Sequence, residues 1–485
     1  MELWLVYSRA VSGSEPELPY VSPEDWARTP PSVRRLVEVL VLGLDTLSAR
    51  VEELEEKLRK NSSNSSKPPS SDPPGAAPDK PAKGSKKKRG AQKGHPGHSR
   101  ERLTPDNVVP CIPSHCGRCR RSLDGCKDPN PAWRQVFELP VIRPIVTEYS
   151  THSLECPDCH HVTHGKEPAD APQSGYGDRL HALVSALTGR FRQSKRLAVE
   201  MLAEIFGIPM AAGSAVKCER RMAAALEAAY EEAHAAAKAA PVVHADETSW
   251  RENKKRAWLW VAALPMLTVL MVHRNRSKEA AKQLLGEGFG GVAVSDRYSA
   301  YKWIPVERRQ VCWSHLDRDF TAIEERGGPS AEVGLRLRRA AATLFRRWKL
   351  VRAGARDRAW MARKCKRLQA EVMEALEAGV DAKVEKTSGT CAEILDVFES
   401  LWTFLRVEGV DPTNNFAERE LRPAVQMRKL SFGTDSARGS RFFERIMTVA
   451  MSLRQQKRGL MDWLTEAFRA FRLGQTGPSL ILAPP

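Results

Sequence analysis

Long hydrophobic runs are missing from this sequence: no stretch reaches the roughly 18 consecutive apolar residues of a membrane-spanning helix, so none is expected. The opening residues, MELWLVYSRAVSG, lack the basic start and apolar core of a secretory signal, which points to an intracellular protein, cytoplasmic and nucleoid-associated. Acidic residues are in deficit, 59 Asp+Glu against 76 Lys+Arg, for a formal charge of +17. That imbalance favours a polyanion partner, because covering phosphates with cationic side chains releases their counterions. Disulfides are not expected either: in a reducing compartment the ten cysteines are free thiols or metal ligands. The 42% hydrophobic content excludes disorder throughout, and 485 residues make about three folded units.

Residues 1–30 carry little pattern. From there Val33, Val37, Leu40, Leu44, Leu47, Val51, Leu54 and Leu58 are spaced alternately four and three. This heptad predicts a coiled-coil helix over 31–60 that pairs with another copy of the chain, with a single amphipathic helix packed on its own chain as the alternative. A Ser-, Pro- and Gly-rich linker follows over 61–104. Between Lys80 and Arg102 it holds nine Lys/Arg against one acid, Glu101, a net +8. Lys86, Lys87, Lys88, Arg89 and Lys93 are expected to track a DNA backbone; a merely solvated linker is the plainer reading.

Two knuckles, Cys116-x-x-Cys119 and Cys156-x-x-Cys159, flank a segment rich in β-branched and aromatic residues, RQVFELPVIRPIVTEYSTH. Four thiolates in that spacing predict a zinc ribbon with a structural Zn²⁺ over 105–166. Cys111, Cys126, His115, His152 and His160 are alternative ligands. Residues 170–240 read as a helical domain. Within it Leu197–Arg221 has a helix, a turn at Gly207 and a second helix, with Lys217, Arg220 and Arg221 available for phosphates. An ordinary helical hairpin fits the same pattern.

The pattern changes at residue 241. Short apolar runs at Val242–Asp246, Ala257–Leu264, Leu267–His273, Val292–Asp296 and Gln310–Trp313 read as strands, with a Ser-capped helix at Ser277–Gly286. Helices fill about 317–405, and another starts near Asn415. Three strands, a helix, a strand and a further strand are the order of a ribonuclease-H-like α/β catalytic domain over 241–450. A helical insertion at about 320–400 separates its last strand from its final helix, and residues 451–485 form a C-terminal helical tail.

Cleavage of a phosphodiester by in-line displacement uses two Mg²⁺ or Mn²⁺ ions, which want carboxylate oxygen on neighbouring elements. Asp246 ends the first strand, Asp296 ends the fourth, and Glu418 starts the final helix, so the three can meet. Each has a plainer reading: the aspartates as turn formers after strands, and Glu418 as the N3 residue of a capping box begun by Asn415.

Collinear motifs from about Val33 onward sharpen this. NSSNSSKPPSSD, KKKRGAQKGHPGH, the paired CxxC, VVHADETSW with RAWLWV, SDRYSAY, CWSH and NNFAERELRP together resemble the transposases of the insertion-sequence sixty-six family. The resemblance implies a DDE transposase that cuts DNA at element ends and joins it to target DNA, with Mg²⁺ or Mn²⁺ as cofactor. It places the acids on Asp246, Asp296 and Glu418, and the zinc-finger ligands on Cys116, Cys119, Cys156 and Cys159. Element ends and target DNA are the implied partners, with accessory proteins of the same element besides. His315 in CWSH is an auxiliary candidate at the site or a structural residue. Arg422 and Arg428, on the helix of Glu418, are candidate phosphate contacts or a solvated face. The chain departs from the family at Arg297, where Gly is frequent, and at Asp317 and Asp319, where basic residues are usual.

Two rivals remain: a non-catalytic DNA-binding regulator descended from a transposase, and a ribonuclease-H-like nuclease that cuts without joining. Such regulators tend to lose an acid, and here all three are present.

The heptad makes the first prediction. In the full chain, Leu44→Asp with Leu47→Asp should convert a self-associated species into monomer in sedimentation velocity. A parent chain already monomeric at tens of micromolar (roughly the range where short coiled coils pair) contradicts the pairing.

Overall fold

In the computed structural model the chain is described over residues 22–61, 65–66 and 101–482, and it divides into two units, 1–80 and 81–485. The candidate DNA contacts Lys86, Lys87, Lys88, Arg89 and Lys93 lie outside the described residues. No helix among the described residues is long and apolar enough to cross a membrane.

In the first unit a short helix α1 (Pro23–Arg28) precedes a long one, α2 (Pro31–Arg59). Ser22 starts α1, its hydroxyl oxygen accepting the Asp25 N–H at 3.1 Å. The stripe on α2 remains uncovered: Val33, Leu40, Leu44, Leu47, Val51, Leu54 and Leu58 are all exposed.

Among the described residues of the second unit, an irregular segment comes first and leads to one small hairpin, β1 (Ser153–Glu155) and β2 (Val162–His164), which are antiparallel. The β-branched run at 134–152 between the two CxxC pairs is expected to form short strands; instead one strand lies just before Cys156 and its partner just after Cys159. Pro140 and Pro144 interrupt the intervening run, and Leu139, Val141, Ile145 and Val146 stay exposed, so no strand there gains a buried face.

Four helices follow: α3 (Asp178–Ser185), which continues into a π-helical turn at Ala186–Arg190, then α4 (Lys195–Phe206), α5 (Ala212–Ala225) and α6 (Glu227–Ala239). Ser194 caps α4 by accepting the Leu197 N–H, and Gly207 ends it with φ +63, a left-handed turn that costs glycine nothing.

Five strands make the central sheet: β3 (Val242–Glu252), β4 (Lys255–Leu264), β5 (Leu267–His273), β6 (Val292–Ser295) and β7 (Arg309–Val311), with α7 (Lys278–Leu285) between β5 and β6. Their order is β5-β4-β3-β6-β7. The β3–β4 and β4–β5 pairs are antiparallel, and β3–β6 and β6–β7 are parallel. Sequence reading ended β3 at Asp246, but it runs six residues further to Glu252 (252 − 246). The reason is the hairpin partner: pairing continues to Glu252↔Lys255, where Asn253 and Lys254 turn the chain with φ of +50 and +60. Buried Trp250 and Glu252 alternate there with exposed Ser249 and Arg251, a half-buried strand that its polar residues disguise.

After β7 come α8 (Trp313–Glu325), α9 (Gly328–Arg352), α10 (Arg358–Asp381), α11 (Glu385–Leu395) and α12 (Thr403–Arg406). They bury a core of their own, including Trp313, Phe320, Leu344 and Phe404, which packs on Val292 and Val294 of β6 and Val311 of β7. The chain returns to the sheet in α13 (Asn415–Ser431), α14 (Ala437–Gln455) and α15 (Leu460–Arg472). The last helix is no loose tail. Trp463, Leu464 and Phe468 join the sheet's core, and Phe468 stacks on His181 of α3 at 4.2 Å.

Helix α14 also solves the problem of the outer strand. Along β5, the N–H groups of Thr268, Leu270 and Val272 donate to Ser452 Oγ, Thr448 Oγ1 and Glu444 Oε1, at 3.1, 3.0 and 2.5 Å. The acceptors are four residues apart on one helical face and the donors two apart on one strand edge, so the edge is satisfied internally. Thr448→Val removes the middle acceptor and leaves the Leu270 N–H buried without a partner. That should cost about 1–3 kcal/mol in denaturant unfolding; an unchanged midpoint contradicts the ladder.

Candidate active site

Parallel pairing of β3 with β6 holds a constant offset of 50: Val242↔Val292, Val243↔Ala293, His244↔Val294. Continued two residues, it sets Asp246 opposite Asp296, the residue that follows β6. With the period of two along a strand, both stand on the face that carries Val242, His244, Val292 and Val294. Asp246 Oδ1 accepts its neighbour Glu247's N–H at 2.9 Å, and Asp296 Oδ1 accepts the Tyr298 N–H at 2.9 Å. Buried Arg309 on β7 fixes the turn after β6 by donating to the Asp296 carbonyl at 2.7 Å.

Asn414 brings α13 to this place. Its Nδ2 donates to the Ala245 carbonyl at 2.7 Å, its Oδ1 lies 3.2 Å from His244 Nδ1, and its N–H donates to Cys312 Sγ at 3.1 Å. Phe416, two residues on, meets the His244 ring edge-on. The capping-box reading therefore does not describe Glu418: the residue before the helix is Asn414, and no side chain caps it. Instead Glu418 Oε1 lies 3.7 Å from His315 Nδ1 and 3.8 Å from Arg318 Nη2. Both Glu418 Oε1 and His315 Nδ1 are shut off from solvent without a hydrogen-bond partner.

Asp246 feels the other two acids. Burial, then the charges of Glu247, Asp296 and Glu418, push the Asp246 carboxyl well above the usual carboxylate range. A fourth acid, Glu247, escaped sequence reading although it is the next letter of HADET. Its buried carboxylate is held by Arg276 at 2.6–2.8 Å and by the Tyr301 hydroxyl at 2.7 Å, yet burial and Asp296 still push it up to about 7. Arg276 sits over the Tyr298 ring, 3.7 Å from its centroid, and 4.0 Å from Asp296 Oδ2. Desolvation is the main reason that His315 is held below the usual imidazole value, with the Arg318 charge adding to it.

The departures noted in the sequence meet each other. Arg297 Nη2 lies 3.0 Å from Asp319 Oδ2, and its Nη1 2.7 Å from Glu393 on α11, so the added cation and one added acid form a pair. Arg428 is committed to the fold, its guanidinium donating to Thr248 Oγ1 at 2.9 Å and to Ser249, which docks α13 on β3. Arg422, on the same helix, is exposed.

Carboxylate oxygens suit hard divalent cations, but the oxygens of Asp246, Asp296 and Glu418 are not gathered within 4.8 Å of one another; what links the three is the charge felt at Asp246. The cysteine knuckles are near copies of each other. In each, the first cysteine's N–H donates to the carbonyl five residues on, to Arg121 and His161. Its carbonyl accepts an N–H from four residues on, in Arg120 and His160. Those last two residues share a left-handed backbone, φ +65 and +56. Backbone N–H groups of the following residues lower the Cys116 and Cys156 thiols from their ordinary value. Among the described residues, the group with ligand atoms all within 4.8 Å of one another is Cys312, His315 and Glu418; the four knuckle thiols are not gathered in that way.

Compared with known proteins, residues 181–441 match the Transposase IS66 family, just over half of the chain, and residues 23–101 match a family of unknown function (DUF6444). The chain is also 26% identical over 247 residues to the uncharacterized protein y4qI of Sinorhizobium fredii, covering 46% of this chain and 45% of that protein.

The crowding of acids has a measurable consequence. A carboxyl whose pKa is raised on folding gives stability that is present below its unfolded value of about 4 and lost as pH rises through the raised value. Asp246→Asn should therefore stabilise the metal-free chain at neutral pH by about 1 kcal/mol or more, with a smaller loss of Tm from pH 4 to 8 than the parent shows. A destabilised variant would mean that Asp246 is satisfied in the fold.

Proposed function

Because this chain belongs to the IS66 transposase family, we propose that it is a DDE transposase whose Asp246, Asp296 and Glu418 hold the catalytic cations. One observation carries the reading: the parallel pairing of β3 with β6, whose register, continued two residues, brings Asp246 level with Asp296, while Asp246 feels the Glu418 charge and Glu418 Oε1 has no hydrogen-bond partner. The strand order, with three antiparallel strands followed by two parallel ones, supports a ribonuclease-H-like domain interrupted by the α8–α12 insertion. Mg²⁺ or Mn²⁺ held by these acids would supply activation of the attacking oxygen and neutralisation of the leaving one.

The chain's own residues prepare the site for that charge. Glu247 and the Tyr298 ring fix Arg276, which keeps a cation beside Asp296 and orients it. Asn414 ties the start of α13 to β3, so Glu418 is positioned by backbone contacts rather than by a loop. Cleavage at an element end frees a 3′-OH, and the same site then joins that hydroxyl to target DNA.

The remaining parts serve assembly on DNA. The basic arm tracks phosphates, and α4 and α5 form a helix-turn-helix candidate. The exposed stripe on α2 pairs copies of the chain, and the two knuckles close on one Zn²⁺ through Cys116, Cys119, Cys156 and Cys159. Their matching backbone turns support that reading, with the thiols moving together when the ion binds.

The test is cleavage and strand transfer in vitro on DNA flanking the gene. Asp246→Asn, Asp296→Asn and Glu418→Gln should each lower cleavage by about 10³-fold or more, several kcal/mol of barrier, while DNA affinity changes less than about twofold. An amide variant that still cuts overturns the assignment of that acid.

A further inference from the structure

We propose that Cys312, His315 and Glu418 form a second metal site, sharing Glu418 with the first, that takes a single Zn²⁺-class transition-metal ion. Their ligand atoms all lie within 4.8 Å of one another. Local structure brings them there. Cys312 follows β7 and is the residue before α8, and His315 is three residues on, in the first turn of that helix, so both reach the same face. Glu418 stands in the first turn of α13. The two helix starts are locked together by the Asn414 N–H on Cys312 Sγ at 3.1 Å and by the Trp313 N–H on the Pro412 carbonyl at 2.9 Å.

A bound ion explains an otherwise unexplained pair of atoms. His315 Nδ1 and Glu418 Oε1 face each other at 3.7 Å, too far for a hydrogen bond, and each lacks both solvent and a hydrogen-bond partner. Ligands about 2.0–2.3 Å from one tetrahedral ion stand roughly 3.3–3.8 Å apart, which is the separation of these two atoms. The donor set decides the class of ion. A thiolate, an imidazole and a carboxylate select Zn²⁺ and its neighbours over Mg²⁺, which prefers oxygen throughout. Three protein ligands leave a fourth position open, and the Asn414 N–H on sulfur is the kind of outer contact that steadies a thiolate ligand. Arg318, 3.8 Å from the same Glu418 oxygen, must swing away as the ion enters; its side chain is partly exposed and free to do so.

The consequence for activity rests on the transposase reading, because Glu418 belongs to both sites. A Zn²⁺-class ion here draws Glu418 away from the hard-cation site, which makes the site inhibitory. Binding itself does not depend on that reading.

The experiment titrates the full chain with Co²⁺ in excess Mg²⁺, counting bound ions by equilibrium dialysis and following the thiolate-to-cobalt absorption. Parent, Cys312→Ser and His315→Ala are compared, so that any ion held by the knuckles is common to all three. The expected result is one Co²⁺ fewer per chain in each variant, with a matching loss of thiolate absorption in Cys312→Ser. Thermal melting checks that the variants fold; if the buried serine variant does not, the count for His315→Ala decides. Equal Co²⁺ counts in the parent and the folded variants overturn the proposal. No DNA or turnover enters the measurement, so its failure is separable from failure of the transposase reading.

Discussion

Two carboxylates set side by side on neighbouring parallel strands repel each other, and the fold around Asp246 and Asp296 is arranged to hold them there. The parallel β3–β6 pair, which ends at His244↔Val294, carries the two acids at the same end of neighbouring strands. The cost is visible in Asp246, whose carboxyl burial and three acidic neighbours push toward the protonated form. Such strain is characteristic of functional rather than purely structural carboxylates.

Compensation comes from elements on both sides of the sheet. Arg276, tied to Glu247 and lying over Tyr298, brings positive charge to within 4.0 Å of Asp296. From the other direction, Asn414 fastens α13 to the carbonyl just before Asp246, and Arg428 fastens the same helix about four turns later. The α14 ladder seals β5, so the sheet is rigid at the edge farthest from the acids. The helical insertion is anchored beside the site through Arg297, which bridges Asp319 of α8 and Glu393 of α11. Two of the three departures from the family pattern, Arg297 and Asp319, thus answer each other as an ion pair.

Much of this was legible in the sequence because it is local. The Ser277 cap, the β4 and β5 runs and the start of α13 at Asn415 all follow from short-range chemistry and appear where expected. Strand order and motif spacing together lead to the expectation that residues 246, 296 and 418 meet; the structure pairs β3 with β6 in parallel just before the two aspartates and exposes Asp246 to the charges of Asp296 and Glu418. What was hidden depends on partners far along the chain. The second half of β3 looks polar until β4 is laid beside it. Strands between the CxxC pairs were expected from β-branched content, but composition alone offers no face to bury. Glu247 is indistinguishable from a solvated acid until Arg276 and Tyr301 close over it, and Asn414 gives no sign of its three contacts.

The central claim is that three segments far apart in the chain meet at one divalent cation. Fe²⁺ can stand in for Mg²⁺, and with ascorbate and peroxide it cuts the polypeptide wherever the backbone lies next to the ion. In the His315→Ala chain, which lacks a ligand of the transition-metal site, the account predicts three clusters of cuts, around Asp246, Asp296 and Glu418, all suppressed together by excess Mg²⁺. Cuts at the two aspartates with none near Glu418, or cuts that Mg²⁺ does not suppress, would contradict it.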